Sequence, residues 1–118
     1  MANPNIVNVT SIYGGTAVHP LETTFNVFYG NPNGSGRVVK LNTMIVSNIS
    51  TTAQTCDISY VYGGQSYKIV NGISIPANSS LTVIDKSTSI YITEGSSLGG
   101  VGSAVSALNV VYSYEEIS

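Results

Sequence analysis

Apolar and polar residues alternate one by one along most of this chain. Gly, Pro or Asn interrupts the alternation about every ten residues, and nowhere do apolar residues recur at helical spacing. That rhythm restricts the chain to short strands joined by tight connections. Over 37–49, Val39, Leu41, Ile45 and Ile49 share one parity, while Lys40, Asn42 and Asn48 share the other. The pattern predicts a strand whose lysine side meets water, although Val38, Met44 and Val46 lie on that side too. Over 54–62, Cys56, Ile58, Tyr60 and Tyr62 alternate with Thr55, Asp57 and Ser59. Gly63-Gly64 follows, two residues free to take the positive φ of a hairpin turn, and the return strand is 65–71 with Tyr67 and Ile69 opposite Lys68.

The remaining segments obey the same grammar. Residues 5–13 read as a strand stopped by Gly14-Gly15, and 23–29 place Phe25, Val27 and Tyr29 on one face. GNPNGSG, 30–36, is the plainest loop, since every residue in it favours turns or flexibility. Strands at 73–75 and 80–85 flank Pro76-Ala77-Asn78, which cannot continue a central ladder. Segments 88–93 and 107–114 complete the set, the latter with Leu108, Val110, Tyr112 and Tyr114 in unbroken alternation. Residues 94–107 carry four glycines, which leaves a poor edge strand, a bulged strand or a mobile loop open and favours an irregular strand over 97–103. About seven to nine short strands without a helix define an all-β chain: a single antiparallel β-sandwich domain over 1–118, with a jelly roll as its candidate topology. A chain of 118 residues buries roughly two-thirds of its unfolded surface, which is enough core without staples.

Residue chemistry gives little sign of catalysis. The single histidine, His19, precedes Pro20, which favours extended backbone in a connection, so a surface role is expected rather than that of a general base. Glu115 and Glu116 are neighbours and point to opposite faces of a strand, so they make no paired-carboxylate site. The other acids are scattered and offer no calcium loop, while Asp85-Lys86 reads as a turn. Cys56, the one cysteine, sits on the apolar parity of its strand and reads as a small buried hydrophobe. No catalytic, cofactor or metal site is therefore expected. Net charge is −2 with four basic residues, which leaves no electrostatic footprint for nucleic acid or an anionic membrane. No apolar run is long enough to span a bilayer, and MANPNIVNVT lacks the basic-then-apolar layout of a secretory signal. Eight tyrosines without a tryptophan suit strand packing and interfaces better than a glycan platform; Tyr60, Tyr67 and Tyr112 are expected in or near the core.

The scarcity of charge is more informative. Only 8% of residues are charged, against about 25% in an ordinary soluble domain. Serine, threonine and asparagine (17, 11 and 11 residues) supply an uncharged polar coat instead. Free sheet proteins use charge to blunt their edges, and uncharged β-prone segments such as 105–114 associate unless something covers them. The expectation is a homo-oligomer or a part of a larger assembly.

Several stretches carry a resemblance. NIVNVTSIYG near the start, VKLNTMIVSNIS, IPANSSLTVIDKSTSIYITEG and the closing SYEEI resemble small structural proteins of tailed bacteriophages, marine and cyanobacterial ones in particular. The telling positions are Asn48, Pro76, Leu81, Asp85, Lys86, Tyr91, Glu94, Gly95, Ser113, Tyr114 and Glu115; the chain departs from that pattern over 96–105. The resemblance implies a β-sandwich virion component made in the host cytoplasm, with a capsid decoration or cement role on the shell surface. Its partner would be the major capsid protein, and by analogy with decoration proteins a trimer is the expected oligomer. A neck, tail or fibre component and a glycan- or receptor-binding module are the alternatives. Candidate contact residues are Asn31 and Asn33 in the 30–36 loop and Tyr112, Tyr114, Glu115 and Glu116 at the chain end.

Overall fold

A computed structural model describes residues 11–118, except for the side chain of Lys86. The first six residues of the 5–13 strand expectation therefore lie outside the described residues. Nine strands follow in order: β1 (Ile12–Pro20), β2 (Asn26–Asn31), β3 (Val38–Asn48), β4 (Gln54–Tyr62), β5 (Gln65–Ile75), β6 (Ser80–Ile84), β7 (Ile90–Ile92), β8 (Ser96–Gly102) and β9 (Leu108–Ile117). A single 3-10 turn at Lys86–Thr88 separates β6 from β7; Asp85 caps it, accepting from Ser87 N at 2.9 Å.

Pairing is antiparallel throughout and forms two sheets. One has five strands, in the order β1-β9-β3 with β6 and β7 sharing the far side of β3; the other runs β2-β8-β4-β5. If β6 and β7 are taken as one interrupted strand, the chain pairs outermost with outermost: β1 with β9, β2 with β8, β3 with β6/β7, and β4 with β5. That is a long hairpin rolled into a double-sheet jelly roll. Its tip is the β4–β5 turn, where Gly63 and Gly64 sit at φ 61° and 79°. Two positive φ values in succession define the type I′ turn expected from the glycine pair. The core between the sheets draws Val39, Leu41, Met44 and Val46 from β3, Ile58 from β4, Leu98 from β8, and Leu108, Val110 and Tyr112 from β9.

Several expectations need correction. Gly14-Gly15 is not a turn: β1 runs straight through it. A Cβ at Gly15 would lie 2.8 Å from Tyr114 Cζ, so the glycine makes room for a packed ring. In β3, register against β9 shifts between Leu41 and Thr43, and this bulge exchanges the two faces. Val39 and Leu41 point inward before it, but Met44, Val46 and Asn48 do so after it, leaving Ile45 and Ile49 exposed. A bulge between Val27 and Tyr29 does the same in β2: Val27 is exposed, while Phe28 and Tyr29 pack on the core. The segments at 65–71 and 73–75 are one strand, β5, which passes through Gly72 at φ 63°. Of the alternatives for the glycine-rich segment, the edge position and the loop fall away: β8 is a strand that lies between β2 and β4 and is largely buried. Tyr67, expected near the core, is 54% exposed.

Candidate interaction surface

Several of the groups that could do chemistry are spent on architecture. His19 lies in β1 rather than in a connection and stacks on Phe28 with ring centroids 5.2 Å apart. Among the described residues no cluster of three or more His, Cys, Asp or Glu could hold a metal. Asp57 accepts from Lys68 Nζ at 2.8 Å and from Gly72 N, so it ties down the irregular point of β5. Lys68 holds its carboxyl below the usual carboxylate range. The Ser87 hydroxyl does the same for Asp85. Glu94 accepts from Gly34 N at 3.0 Å and Gly36 N at 3.1 Å, which fixes the glycine-rich connection between β2 and β3. Glu116 accepts from the Tyr29 hydroxyl at 2.9 Å across the sandwich.

Burial, and then the Glu116 carboxylate, push the Tyr29 phenol well above its ordinary range. Burial also raises Tyr112, and it raises the Cys56 thiol from 9.0 to about 11. In each case the neutral form is favoured by the fold, so the unfolded chain ionises first. Stability is complete below the unfolded values and is lost as pH rises through the folded ones. Urea denaturation from about pH 8 to about pH 11 should show a fall of at least about 2 kcal/mol, which the rise of the buried Cys56 thiol from 9.0 to about 11 supplies alone. Tyr29→Phe should make that fall shallower. A flat profile over this range would contradict the assignment.

The residues expected from sequence to touch a partner do not form one surface. Asn31 is 1% exposed: its Nδ2 donates to the carbonyls of Arg37 (3.0 Å) and Ile92 (2.9 Å), and its Oδ1 accepts from Ser35 Oγ. Tyr112 is 3% exposed and packs between Phe28 and Tyr29, with its hydroxyl donating to the Phe28 carbonyl. Both are interior parts and cannot be contact residues on the folded chain. Tyr114 faces inward as well, half-buried against Tyr29 and Tyr112. Glu116 is turned inward to Tyr29. Asn33 is exposed in the connection, and Glu115 points outward from β9. The pairing of Val38 with Ile117 puts that connection and the chain end at the same end of the sandwich.

A different surface emerges from the register. On the outer face of the five-stranded sheet, cross-strand neighbours fall into rows. Pro20, Asn109, Ser47 and Ser80 form the first, and Val18, Val111, Ile45 and Thr82 the second. Thr16, Ser113 and Thr43 form the third, with Thr43 Oγ1 and Ser113 Oγ 2.6 Å apart. Gly14, Glu115, Lys40 and Tyr91 form the fourth. Charge is confined to the fourth row. The second exposes apolar side chains across three strands, at 71% for Val18, 38% for Val111 and 37% for Ile45. Sequence reasoning missed this face because the β3 bulge decides that Ile45 points outward, beside Val111.

No known protein-family model matches this chain, and no curated protein matches it in sequence. In three dimensions it is similar to a protein from work on Bacillus endospore appendages, described there as a novel family of disulfide-linked pili. That likeness has a TM-score of 0.57 at 13% identity and covers 100% of this chain and 96% of the other. A match at this identity establishes the fold: an antiparallel two-sheet sandwich.

Proposed function

We propose that this chain is a non-enzymatic structural protein that acts by making contacts, and that its place is the outer shell of a bacteriophage capsid, as a decoration or cement protein. The observation that carries the building-block reading is the outer face of the five-stranded sheet, which is uncharged over three consecutive rows and exposes an apolar stripe. A face of that kind is a hazard in isolation and an asset in an assembly. The use of Asp57, Asp85, Glu94 and Glu116 as loop and core anchors supports the same reading, since it leaves few charges to keep copies apart. The shell itself is supported by the phage-like stretches VKLNTMIVSNIS and IPANSSLTVIDKSTSIYITEG. Many weak contacts on a repeating lattice add up to a strong mechanical brace.

The likeness to a pilus protein favours a second reading, a subunit of a fibre or tail appendage. The disulfide linkage named for those pili would not run through Cys56, the one cysteine in this sequence, because it is 2% exposed. A cryo-EM map of particles carrying this chain separates the readings. Sandwich-shaped density repeated over the shell, on the order of hundreds of copies, is the expected result for a cement protein. Density restricted to a neck, tail or fibre would move the protein there. Absence from the particle, with polysaccharide affinity that Tyr67→Ala abolishes, would replace the structural reading with glycan binding.

A further inference from the structure

We propose that the outer face of the five-stranded sheet is a self-complementary interface, and that its occupant is a second copy of this chain related by a two-fold axis running along the strands between β9 and β3. The argument comes from the order of residues within the rows. Such an axis reverses each row from left to right while keeping it opposite itself. The charged row reads Gly14, Glu115, Lys40, Tyr91, so reversal sets Glu115 over Lys40 of the second copy and Lys40 over its Glu115. The same operation sets Val111 over Ile45 in the apolar row, twice, on either side of the axis. Tyr91, 43% exposed, comes to lie over Gly14, which has no side chain to obstruct the ring.

The alternative axis in the plane of the face, perpendicular to the strands, would put the Glu115–Lys40 row over Pro20, Asn109, Ser47 and Ser80. Both charges would then be desolvated with no opposite charge facing them on the second copy, which makes that packing the costlier of the two. Charge order therefore selects one geometry. It is the aligned packing that stacked sheets ordinarily adopt.

The area is adequate. Strands about 4.8 Å apart and same-face residues about 6.8 Å apart give four strands by four rows a footprint of roughly 500 Å² on each copy. Together the copies cover about 1,000 Å², the lower bound for a specific interface, so a reversible dimer is expected. A two-fold also departs from the three-fold that the phage resemblance implied. The pairing needs no shell, so it can hold or fail whatever the place of the chain in a particle.

Charge reversal tests it. Lys40→Glu alone puts Glu over Glu, and Glu115→Lys alone puts Lys over Lys, so each variant should be monomeric by native mass spectrometry and sedimentation equilibrium. An equimolar mixture of the two restores both cross-copy pairs and should give a one-to-one heterodimer. Repulsion within a single chain cannot be cured by mixing, so this result would not come from damaged folding. Val111→Lys should abolish the wild-type dimer, while a thermal melt shows the domain still folded. Four outcomes would overturn the proposal: wild type monomeric up to about 1 mM, a trimer, a dimer that Val111→Lys leaves intact, or single variants whose mixture stays monomeric.

Discussion

Gly100→Val is expected to destabilise the domain by at least about 3 kcal/mol, enough to leave much of the chain unfolded at ordinary temperature. Gly100 sits mid-strand in β8, between Asn26 of β2 and Ile58 of β4. A Cβ there would lie 2.9 Å from Ile58 Cδ1, 3.0 Å from the Asp57 carbonyl oxygen and 3.1 Å from Leu21 Cδ2. Two of those atoms end buried side chains and the third is backbone of the adjacent strand, so relief on one side tightens another. Valine adds two further methyl groups to a site that does not accommodate one. Gly100→Ala should cost about 1–3 kcal/mol, on the same argument without the branch. The control is Gly30→Ala, also in a strand, where the nearest atom to a new Cβ is Ser97 Cβ at 3.8 Å. That change should cost nothing measurable. Urea denaturation of the three variants reads the series directly. A Gly100→Val protein within about 0.5 kcal/mol of wild type would mean that β8 does not lie where these contacts place it.

The same strand shows how far the sequence could be read. Alternation located β3, β4, β6 and β9 because one face of each is apolar over most of its length. It leaves β8 open between a poor edge strand, a bulged one and a loop because four glycines lower strand preference, although three of them, Gly99, Gly100 and Gly102, are there to let neighbours approach. Glycine signals either a weak strand or a crowded one, and only the third dimension separates the two. Gly14-Gly15 was ambiguous in the same way: the sequence suggested a turn, and the packed ring of Tyr114 explains the strand. The larger loss came from bulges. One extra residue near Asn42 turns the rest of β3 over, so Ile45 leaves the core and Asn48 enters it. The candidate surface depends on that inversion. Low charge pointed to a covered face, but the identity of the face was set by a feature with no local sequence signature. Asn31 and Tyr112 have the chemistry and the chain position of contact residues, and burial removes both from the surface.

Asn48→Ala is expected to lower stability by about 3 kcal/mol and the melting temperature by roughly 10 °C. Asn48 ends β3 at one end of the sandwich, 1% exposed, with every polar group of its side chain engaged. Its Nδ2 donates to the carbonyls of Thr52 and Ile75, each at 2.9 Å. Its Oδ1 accepts from Ser50 N at 2.9 Å and Ser50 Oγ at 2.7 Å. Ile75 ends β5 in the opposite sheet, so one amide joins the two layers and pins the connection between β3 and β4. Truncation leaves the Ile75 carbonyl and the Ser50 amide without these partners, and each such group costs about 1–3 kcal/mol where water cannot replace the bond. Asn48→Asp removes the donor while keeping the shape. A carboxylate would then face two carbonyl oxygens in a buried site, so the cost should equal or exceed that of alanine. Asn109→Asp, on the outer face of the same sheet, should be nearly silent in the isolated monomer. Asn31 repeats the device at the other end of the sandwich, bridging from β2 to the Ile92 carbonyl of β7 in the facing sheet. The double variant Asn31→Ala/Asn48→Ala should therefore lose the sum of the two single effects, because the sites share no partner. Calorimetry of wild type beside the four single variants and the double variant decides it. If Asn48→Asp were as stable as wild type, the amide would not be the clamp described, and the two sheets would be held at that end by packing alone.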